Sequence, residues 1–580
     1  MMRAGLQRLL IVAALFGSLC SVAFAGPKSP TEAWVDQQTG AFGDQGDGTY
    51  RNPILAMDYS DPDVIRVGED YYLVASTFES SPGITVLHSR DLVNWETVGA
   101  AFPDMAKVGP NFNWDRMNNY KNGLYAPSLR YQNGTFYVFA NGYRDEGLFV
   151  STAVNPHGPW TVKQICDRHG QPLRVGHWTD PCPFWDDDGK AYLFTSRPGG
   201  EWYGFVFQMT PDGSQLLDAA REALAERKQI YPWPDGGTIY SPFHGTEGNK
   251  IYKRGRYYYL MHIEFLDTGN GKGTYIMRST NLFGMNSDGT PGKPGDPGKY
   301  EIMKFGLGVP GQGGLVDTPD GRWFYLAQGP VNNPEGRVPH LLPVTWTNDW
   351  PVPGVDIKDG KGNMAWHLPK PIAGQKISLP AQSDDFSTDK LSSMWAWNHQ
   401  PRADHWSLTE RPGFLRLHSF PPARPGFFGA GNTIYQRSVR SEKTVVTVKL
   451  DLGGMADGQE AGLAHFNGGT NCASLGVVQQ NGKRAFIYTE DGKATKGAPL
   501  PPDAKGLWIR CTFAFDAVNH YSVSFDEKKF VSIGGDYKLK WGNWRGDMVG
   551  IYTFNPARDA GFIDVDSFLL GVSRSSNATD

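Results

Sequence analysis

The chain has 580 residues, too many for one ordinary hydrophobic core, so at least two domains are expected. Its formal net charge is only −4, with acids and bases interspersed and no basic tract, which argues against a nucleic-acid partner. Aromatic residues reach 13 % and stand beside 70 Gly and 41 Pro; turns need Gly and Pro while strands favour Tyr, Trp and Phe, so the balance points to all-β structure.

Residues 1–25 have the form of a secretory signal peptide. Arg3 and Arg8 give a positive start, "LLIVAALFGSLCSVAFA" is the apolar region, and Ala23-Phe24-Ala25 is a small-residue cleavage site. A membrane anchor is the alternative, but the apolar run is short and no stop-transfer pattern follows. Leu19, just before Cys20, is bulky for a lipoprotein site. The expectation is an exported protein, periplasmic or secreted, with no membrane attachment after cleavage. No later stretch is apolar enough to span a bilayer as a helix. Cys166, Cys182, Cys472 and Cys511 remain; none forms a CxxC pair and no zinc site is legible. A Cys166–Cys182 disulfide and buried free thiols both stay open.

From residue 48 onward one strand recurs. "EDYYLVAS" (69–76) returns as "GTFYVFAN" (134–141), "GKAYLFTS" (189–196), "RYYYLMHI" (256–263) and "RWFYLAQG" (322–329). Taking Tyr72, Tyr137, Tyr192, Tyr259 and Tyr325 as equivalent, the intervals are 65, 55, 67 and 66 residues. A second strand-and-turn motif follows in several repeats, as "LHSRDLVNW", "VSTAVNPHGPW" and "IMRSTNLFG". Repeats of small antiparallel sheets predict a five-bladed β-propeller over 48–365. One large β-sandwich is the rival reading. The Pro-punctuated stretch 366–383 lacks a clear period and suits a linker. Beyond it, alternating segments such as "TVVTVKLDL" and "RCTFAFDAV" predict a β-sandwich (jelly-roll) over 384–573, followed by a frayed tail.

Acids recur upstream of the repeated tyrosines. Asp61 precedes Tyr72 by 11 residues, Asp180 precedes Tyr192 by 12 and Glu247 precedes Tyr259 by 12. Near the same register the second repeat has Ala126 and the fifth Gln312. The first strand of each blade lines a propeller's axis, so three carboxylates would meet at one mouth of one channel. Clustered carboxylates repel; they serve either to hold a cation or to do acid/base chemistry with their pKa values driven apart. Asp61 and Asp180 each precede a proline, which holds the acid extended. In "DYSDPD", Asp58 has no counterpart in the other repeats and Asp63 lies two residues past the register, leaving Asp61 as the chemical candidate.

"NPILAMDYSDPDVIRVGEDYYLVASTF", "GLYAPSLRY", "TDPCPFWDDDGKAYL", "TEGNKIYKRGRYYYL" and "GQGGLVDTPDGRWFYL" together resemble the propeller of glycoside hydrolase family 43, which includes β-xylosidases and α-L-arabinofuranosidases. Residues 384–417 and 550–570 resemble its accessory concanavalin-like sandwich. The resemblance implies an inverting glycosidase releasing xylose or arabinose from plant cell-wall glycans. Asp61 would be the general base, Glu247 the general acid, and Asp180 the residue that orients the acid and tunes its pKa. It also implies a substrate-binding set. Phe78 is the aromatic wall, Tyr125 replaces a more usual tryptophan, Ala126 and Gln312 line the axis, and Arg337 contacts sugar hydroxyls. Gln312 stands where many members carry a histidine. No cofactor is required on this reading, and a structural calcium ion at the propeller axis is left open. The sandwich either binds polysaccharide or buttresses the propeller and closes one side of the pocket; the second is preferred.

Other acids read as structural. Asp186, Asp187 and Asp188 precede a hairpin Gly and predict a β-turn; Glu69 and Asp70 are the equivalent turn acids, and Asp145 and Glu146 are loop charges. Trp178 and Trp202 read as buried propeller residues with pocket lining as the alternative. The nearest functional rival is an endo-acting arabinanase or galactanase of the same mechanism. A non-catalytic sugar-binding propeller would have lost an axial acid, and a retaining fructosidase would show an "NDPN"-like motif, which is absent. Exo or endo action and oligomeric state are not legible.

Overall fold

The structure is a computed structural model that describes residues 41–573, apart from 119, 121, 143–146, 174–177, 198–202, 219–245, 266–271, 294–297, 305–309, 330–335, 470 and 543. The expected signal peptide, the tail, Asp145, Glu146 and Trp202 lie outside the described residues.

Five antiparallel sheets follow one another along the first half of the chain. They start with the strands Asp63–Val67, Leu124–Gln132, Thr179–Trp185, Thr246–Arg254 and Gly311–Asp317. Each continues through a strand that carries the repeated tyrosine: Asp70–Val74, Thr135–Gly142, Ala191–Arg197, Tyr257–Phe265 and Trp323–Gln328. The first strands touch in a closed ring, each against the first strands of the two flanking sheets. That ring is the axis of a propeller. The second strands read as continuous apolar runs because both their faces are covered. Leu73 packs with Val316 and Phe324 of the fifth sheet, while its neighbour Val74 packs with Leu129 and Phe136 of the second.

The ring is closed from outside by chain segments far apart in sequence. Gly43–Asp44, Thr49–Arg51 and His367–Pro369 form one three-stranded sheet. Within the expected linker 366–383, His367–Pro369 is a strand of this sheet, while 370–383 carry no strand or helix and run from propeller contacts to Gln436 of the sandwich, with which Gln382 exchanges hydrogen bonds. Lys370 is buried between Asp44 and Asp91, the latter at 2.8 Å. Gln375 accepts from Arg90 N–H (2.6 Å) and donates to the Asn94 carbonyl (3.2 Å). The strand His367–Pro369 pairs with residues over 300 positions away, so no local period announces it.

The second domain is a sandwich of two antiparallel sheets, of seven and eight strands. Leu463, Leu475, Val477 and Ile551 from one face meet Val446, Val448, Ile509 and Val565 from the other. Gly506–Phe513 alternates strictly between buried and half-buried positions, as a strand with one face on a core must. Cys166, Cys182, Cys472 and Cys511 are all unpaired, which sets the disulfide alternative aside.

Candidate active site

The axis carries a repeated backbone device. At the start of each first strand, one more residue is inserted than on the strand it pairs with. Tyr125 and Ser128 face Asn141 and Phe139; Thr179 and Cys182 face Ser196 and Phe194; Glu247 and Lys250 face Ile263 and Met261; Gly311 and Gly313 face Gln328 and Ala327. In the first sheet the Ser60 carbonyl accepts from Ser76 N–H and regular pairing resumes at Asp63 with Val74. The inserted residue is left-handed every time: Asp61 (φ 51°), Ala126 (37°), Asp180 (52°), Gly248 (66°) and Gln312 (51°). A non-glycine residue in that region costs on the order of 1 kcal/mol, and the four examples here sit at the site rather than elsewhere in the ring.

The device corrects the register by one position. Asp61 and Asp180 are equivalent, but the fourth sheet puts Gly248 in their place, and Glu247 stands one residue earlier, level with Ser60 and Thr179. Gly248 has no room for a side chain. A Cβ there would lie 2.9 Å from Gln312 Cγ, on a backbone that already disfavours one.

Around this ring the expected residues do converge. Arg337 grips Asp61 with both arms, Nη1 at 2.8 Å from Oδ1 and Nη2 at 3.0 Å from Oδ2, and both side chains are buried. Ser76 Oγ donates to Asp61 Oδ2 (2.6 Å) and accepts from Ala126 N–H (2.8 Å). Arg337 Nη1 also reaches Gln312 Oε1 (3.4 Å), whose Nε2 donates to Glu247 Oε2 (2.9 Å). Gln328 donates to the same Gln312 oxygen and accepts from Asp61 N–H at 2.6 Å. One relay therefore joins Asp61 to Glu247 across the axis. Asp61 Oδ1 accepts from Arg337 alone among the contacts described, so it keeps lone-pair capacity for a further donor such as water.

Asp180 holds the third corner. Thr179 donates to its Oδ1 and Gly248 N–H to its Oδ2, and Asn249 Nδ2 reaches its carbonyl at 3.0 Å. Asp180 thus grips the peptide immediately after Glu247. Burial, with the charges of Glu247 and Asp61 behind it, pushes its carboxyl up to about 6. A carboxyl that binds its proton more tightly folded than unfolded loses stability as pH rises from about 4 to about 6, and the cost stays above that. Asp180→Asn is therefore expected to unfold at a higher temperature than wild type at pH 7.5. Relative to wild type it should gain on the order of 3 kcal/mol between pH 4 and pH 7.5, less a pH-independent cost of about 1 kcal/mol because Asn keeps only one of the two acceptors that meet Thr179 and Gly248 N–H. Melting curves across that pH range check this; a gain that grows in acid contradicts it.

The aromatic pair differs from expectation in its roles. Phe78 is left-handed (φ 56°), exchanges both backbone hydrogen bonds with Leu124, and is 1 % exposed. Tyr125 is half-buried and meets it edge-on, with ring centroids 4.9 Å apart. Tyr125 is the ring with surface to offer, and Phe78 backs it. Trp178 is a core residue that meets the stacked rings of Phe205 and Phe207 edge-on. Asp186 sits in the predicted turn and takes Lys253 (2.6 Å) and Tyr258 (2.7 Å) from the neighbouring sheet. Asp70 likewise holds His88 (2.8 Å) and Arg90 (3.0 Å).

Asp58 and Asp63 turn out to be structural partners of Asp61. Asp63 ties the first sheet to the second through Arg130 (2.7 Å) and Leu129 N–H (2.9 Å). Asp58 accepts from Ser60 Oγ (2.6 Å), Arg337 N–H (3.2 Å) and Gly546 N–H (2.9 Å). Gly546 belongs to the sandwich, and with it comes a strap that sequence reasoning missed. Trp544 lies beneath the Arg337 guanidinium, 5.7 Å from ring centroid to Cζ. Arg545 pairs with buried Glu79 and donates to Ser80 Oγ and Tyr435 OH, each at 2.8 Å. Trp541, 40 % exposed, stands edge-on to Trp544 at 5.4 Å. Ser76 and Gln328 were missed as well, although each ends or follows the repeated tyrosine strand, where an axis-facing polar residue is the available signal.

The chain is similar to known proteins along most of its length. Residues 50–351 match the model of the glycosyl hydrolases family 43, and residues 383–570 match the beta xylosidase C-terminal concanavalin A-like domain. A beta-xylosidase of Formosa agariphila is 34 % identical over 593 residues, covering 93 % of both chains. A non-reducing end alpha-L-arabinofuranosidase of Bacteroides ovatus is 32 % identical, covering 76 % of this chain and 78 % of its own. Among solved structures, the GH43 BlXynB protein from Bacillus licheniformis superposes with a TM-score of 0.72 at 25 % identity, covering 90 % of this chain and all of that one.

Proposed function

Because the chain belongs to glycosyl hydrolase family 43, whose members are inverting glycoside hydrolases, we propose that it releases xylose, or arabinose, from the non-reducing ends of plant cell-wall glycans. The xylosidase reading comes first, since the relatives matched over most of their length include beta-xylosidases. The observation that carries the chemistry is the relay in which Arg337 and Gln312 join Asp61 to Glu247.

Asp61 acts as general base. It takes a proton from a water held at Oδ1 while that water attacks the anomeric carbon. Glu247 acts as general acid and gives its proton to the departing glycosidic oxygen on the opposite face. The bond to the leaving sugar breaks, the bond to water forms, and the configuration inverts. Asp180 orients Glu247 by gripping the Gly248 N–H, and its negative charge favours the protonated acid. Tyr125 stacks on the sugar with Phe78 behind it, while Ala126, Gln312 and Arg337 complete the pocket wall. The strap Trp544–Gly546 covers the side of the site where Asp58 and Arg337 stand, which favours exo over endo action. Export by the N-terminal segment and catalysis without a cofactor complete the reading.

The test offers aryl-β-xyloside, aryl-α-arabinofuranoside, xylobiose and polymeric xylan to the purified protein and follows the product anomer by NMR. Release of α-xylose from the β-linked substrates is expected. Retained configuration would overturn the mechanism, and cleavage of polymer without release of monosaccharide would overturn exo action.

A further inference from the structure

Two residues past each left-handed position, the first strands supply a second ring to the channel. It consists of Asp63, Ser128, Cys182, Lys250 and Gly314, all buried. The members meet across the axis. Lys250 Nζ lies 3.4 Å from Ser128 Oγ, so its side chain spans from the fourth sheet to the second. A Cβ on Gly314 would come within 2.7 Å of Asp63 Oδ1. Cys182 Sγ receives Ile251 N–H at 3.4 Å and Arg130 Nη2 at 2.9 Å.

This ring does not fit a divalent cation. Calcium asks for six to eight oxygen ligands. The ring offers a carboxylate already engaged at Oδ2 by Arg130 and Leu129 N–H, one hydroxyl, a thiol, a glycine and an ammonium. A buried ammonium costs several kcal/mol unless negative charge compensates it. The only described hydrogen bond of the Lys250 ammonium is the one to Ser128, whereas Asp63 Oδ1 has no hydrogen-bond partner among the described residues. The charged and titratable groups that the first strands bring to the two rings are Asp61 and Asp63 on the first sheet, Arg130 on the second, Asp180 and Cys182 on the third, and Glu247 and Tyr252 on the same strand as Lys250, with Arg337 joined to Asp61. The positive members other than Lys250 are committed: Arg130 to Asp63 and Arg337 to Asp61.

We propose that Lys250 is the built-in axial cation of the site, a positioning residue whose ammonium occupies the channel below Asp61, Asp180 and Glu247 and does there what a bound metal ion would do. This rests on the three-carboxylate reading of the site. A fixed charge holds the ring of acids together without a binding equilibrium, so the enzyme works at any free calcium concentration.

The experiment measures kcat/KM against pH on aryl-β-xyloside for wild type, Lys250→Met and Lys250→Arg. Each is assayed after exhaustive EDTA treatment and again with millimolar calcium chloride. Wild type is expected to keep its rate after EDTA and gain nothing from calcium. Folded Lys250→Met should lose about tenfold or more in kcat, with its acid limb moved to higher pH by about one unit, and Lys250→Arg should recover most of both. Wild type that loses activity in EDTA and regains it with calcium would overturn the proposal, as would Lys250→Met with an unchanged rate and pH profile. The EDTA arm needs no variant, so it decides even if Lys250→Met fails to fold. Wild type inactive on every pentoside would instead sink the reading of the site itself.

Discussion

Asp61→Asn and Glu247→Gln are each expected to lower kcat/KM on xylobiose by about 10³-fold, within the 10²–10⁴ that a positioned acid or base contributes. Both substitutions keep the shape of the side chain, so the fold should survive. The two should separate on an aryl xyloside. A phenolate with a low pKa leaves without much help from an acid, so Glu247→Gln should recover a large part of its loss there. Asp61→Asn should not, because the attacking water needs its base whatever leaves. Asp61→Asn also puts an amide where both Arg337 arms now meet carboxylate oxygens, so one arm loses its acceptor. Steady-state rates on the two substrates check this. Equal losses on both substrates for Glu247→Gln would remove it from the role of acid, and a loss under tenfold for Asp61→Asn would remove it from the role of base.

The largest stability loss is expected from Arg545→Met, about 3–5 kcal/mol. Arg545 and Glu79 form an ion pair between sandwich and propeller in which neither side chain is more than 3 % exposed. Glu79 Oε2 has no hydrogen-bond partner among the described residues, so the guanidinium is the acid's principal compensation. Taking it away leaves a buried carboxylate without its counter-charge and strips Ser80 and Tyr435 of a shared donor. Most of that loss belongs to the abandoned acid rather than to the pair. Adding Glu79→Gln to Arg545→Met should therefore return at least half of it. Denaturant unfolding of the two single variants and the double variant measures the cycle; a single-variant loss under about 1 kcal/mol would show the pair to be solvated.

What the sequence made legible was whatever repeats locally. Five tyrosine strands announce five sheets because each is buried on both faces and so reads as an unbroken apolar run. Asp61 and Asp180 were found by counting back from those tyrosines. The same count misplaced Glu247 by one residue relative to them, because the inserted residue of the fourth sheet is Gly248, and a glycine in a loop-like stretch carries no visible mark of being left-handed. Arg337 was reachable only through family resemblance; its grip on Asp61 spans 276 residues of sequence. The strap was out of reach altogether. Gly546 meets Asp58 across 488 residues, and nothing in "GNWRGD" distinguishes it from an ordinary surface loop.

The strap has an evolutionary consequence. Domains that touch only through a linker are readily shuffled between genes, since each keeps working in a new setting. Here a backbone amide of the second domain holds the acid that in turn braces the peptide of Arg337. A propeller inherited without its sandwich would arrive with Asp58 lacking the Gly546 amide and Glu79 lacking Arg545. The two modules can diversify side by side, but parting them takes away bracing that the site uses.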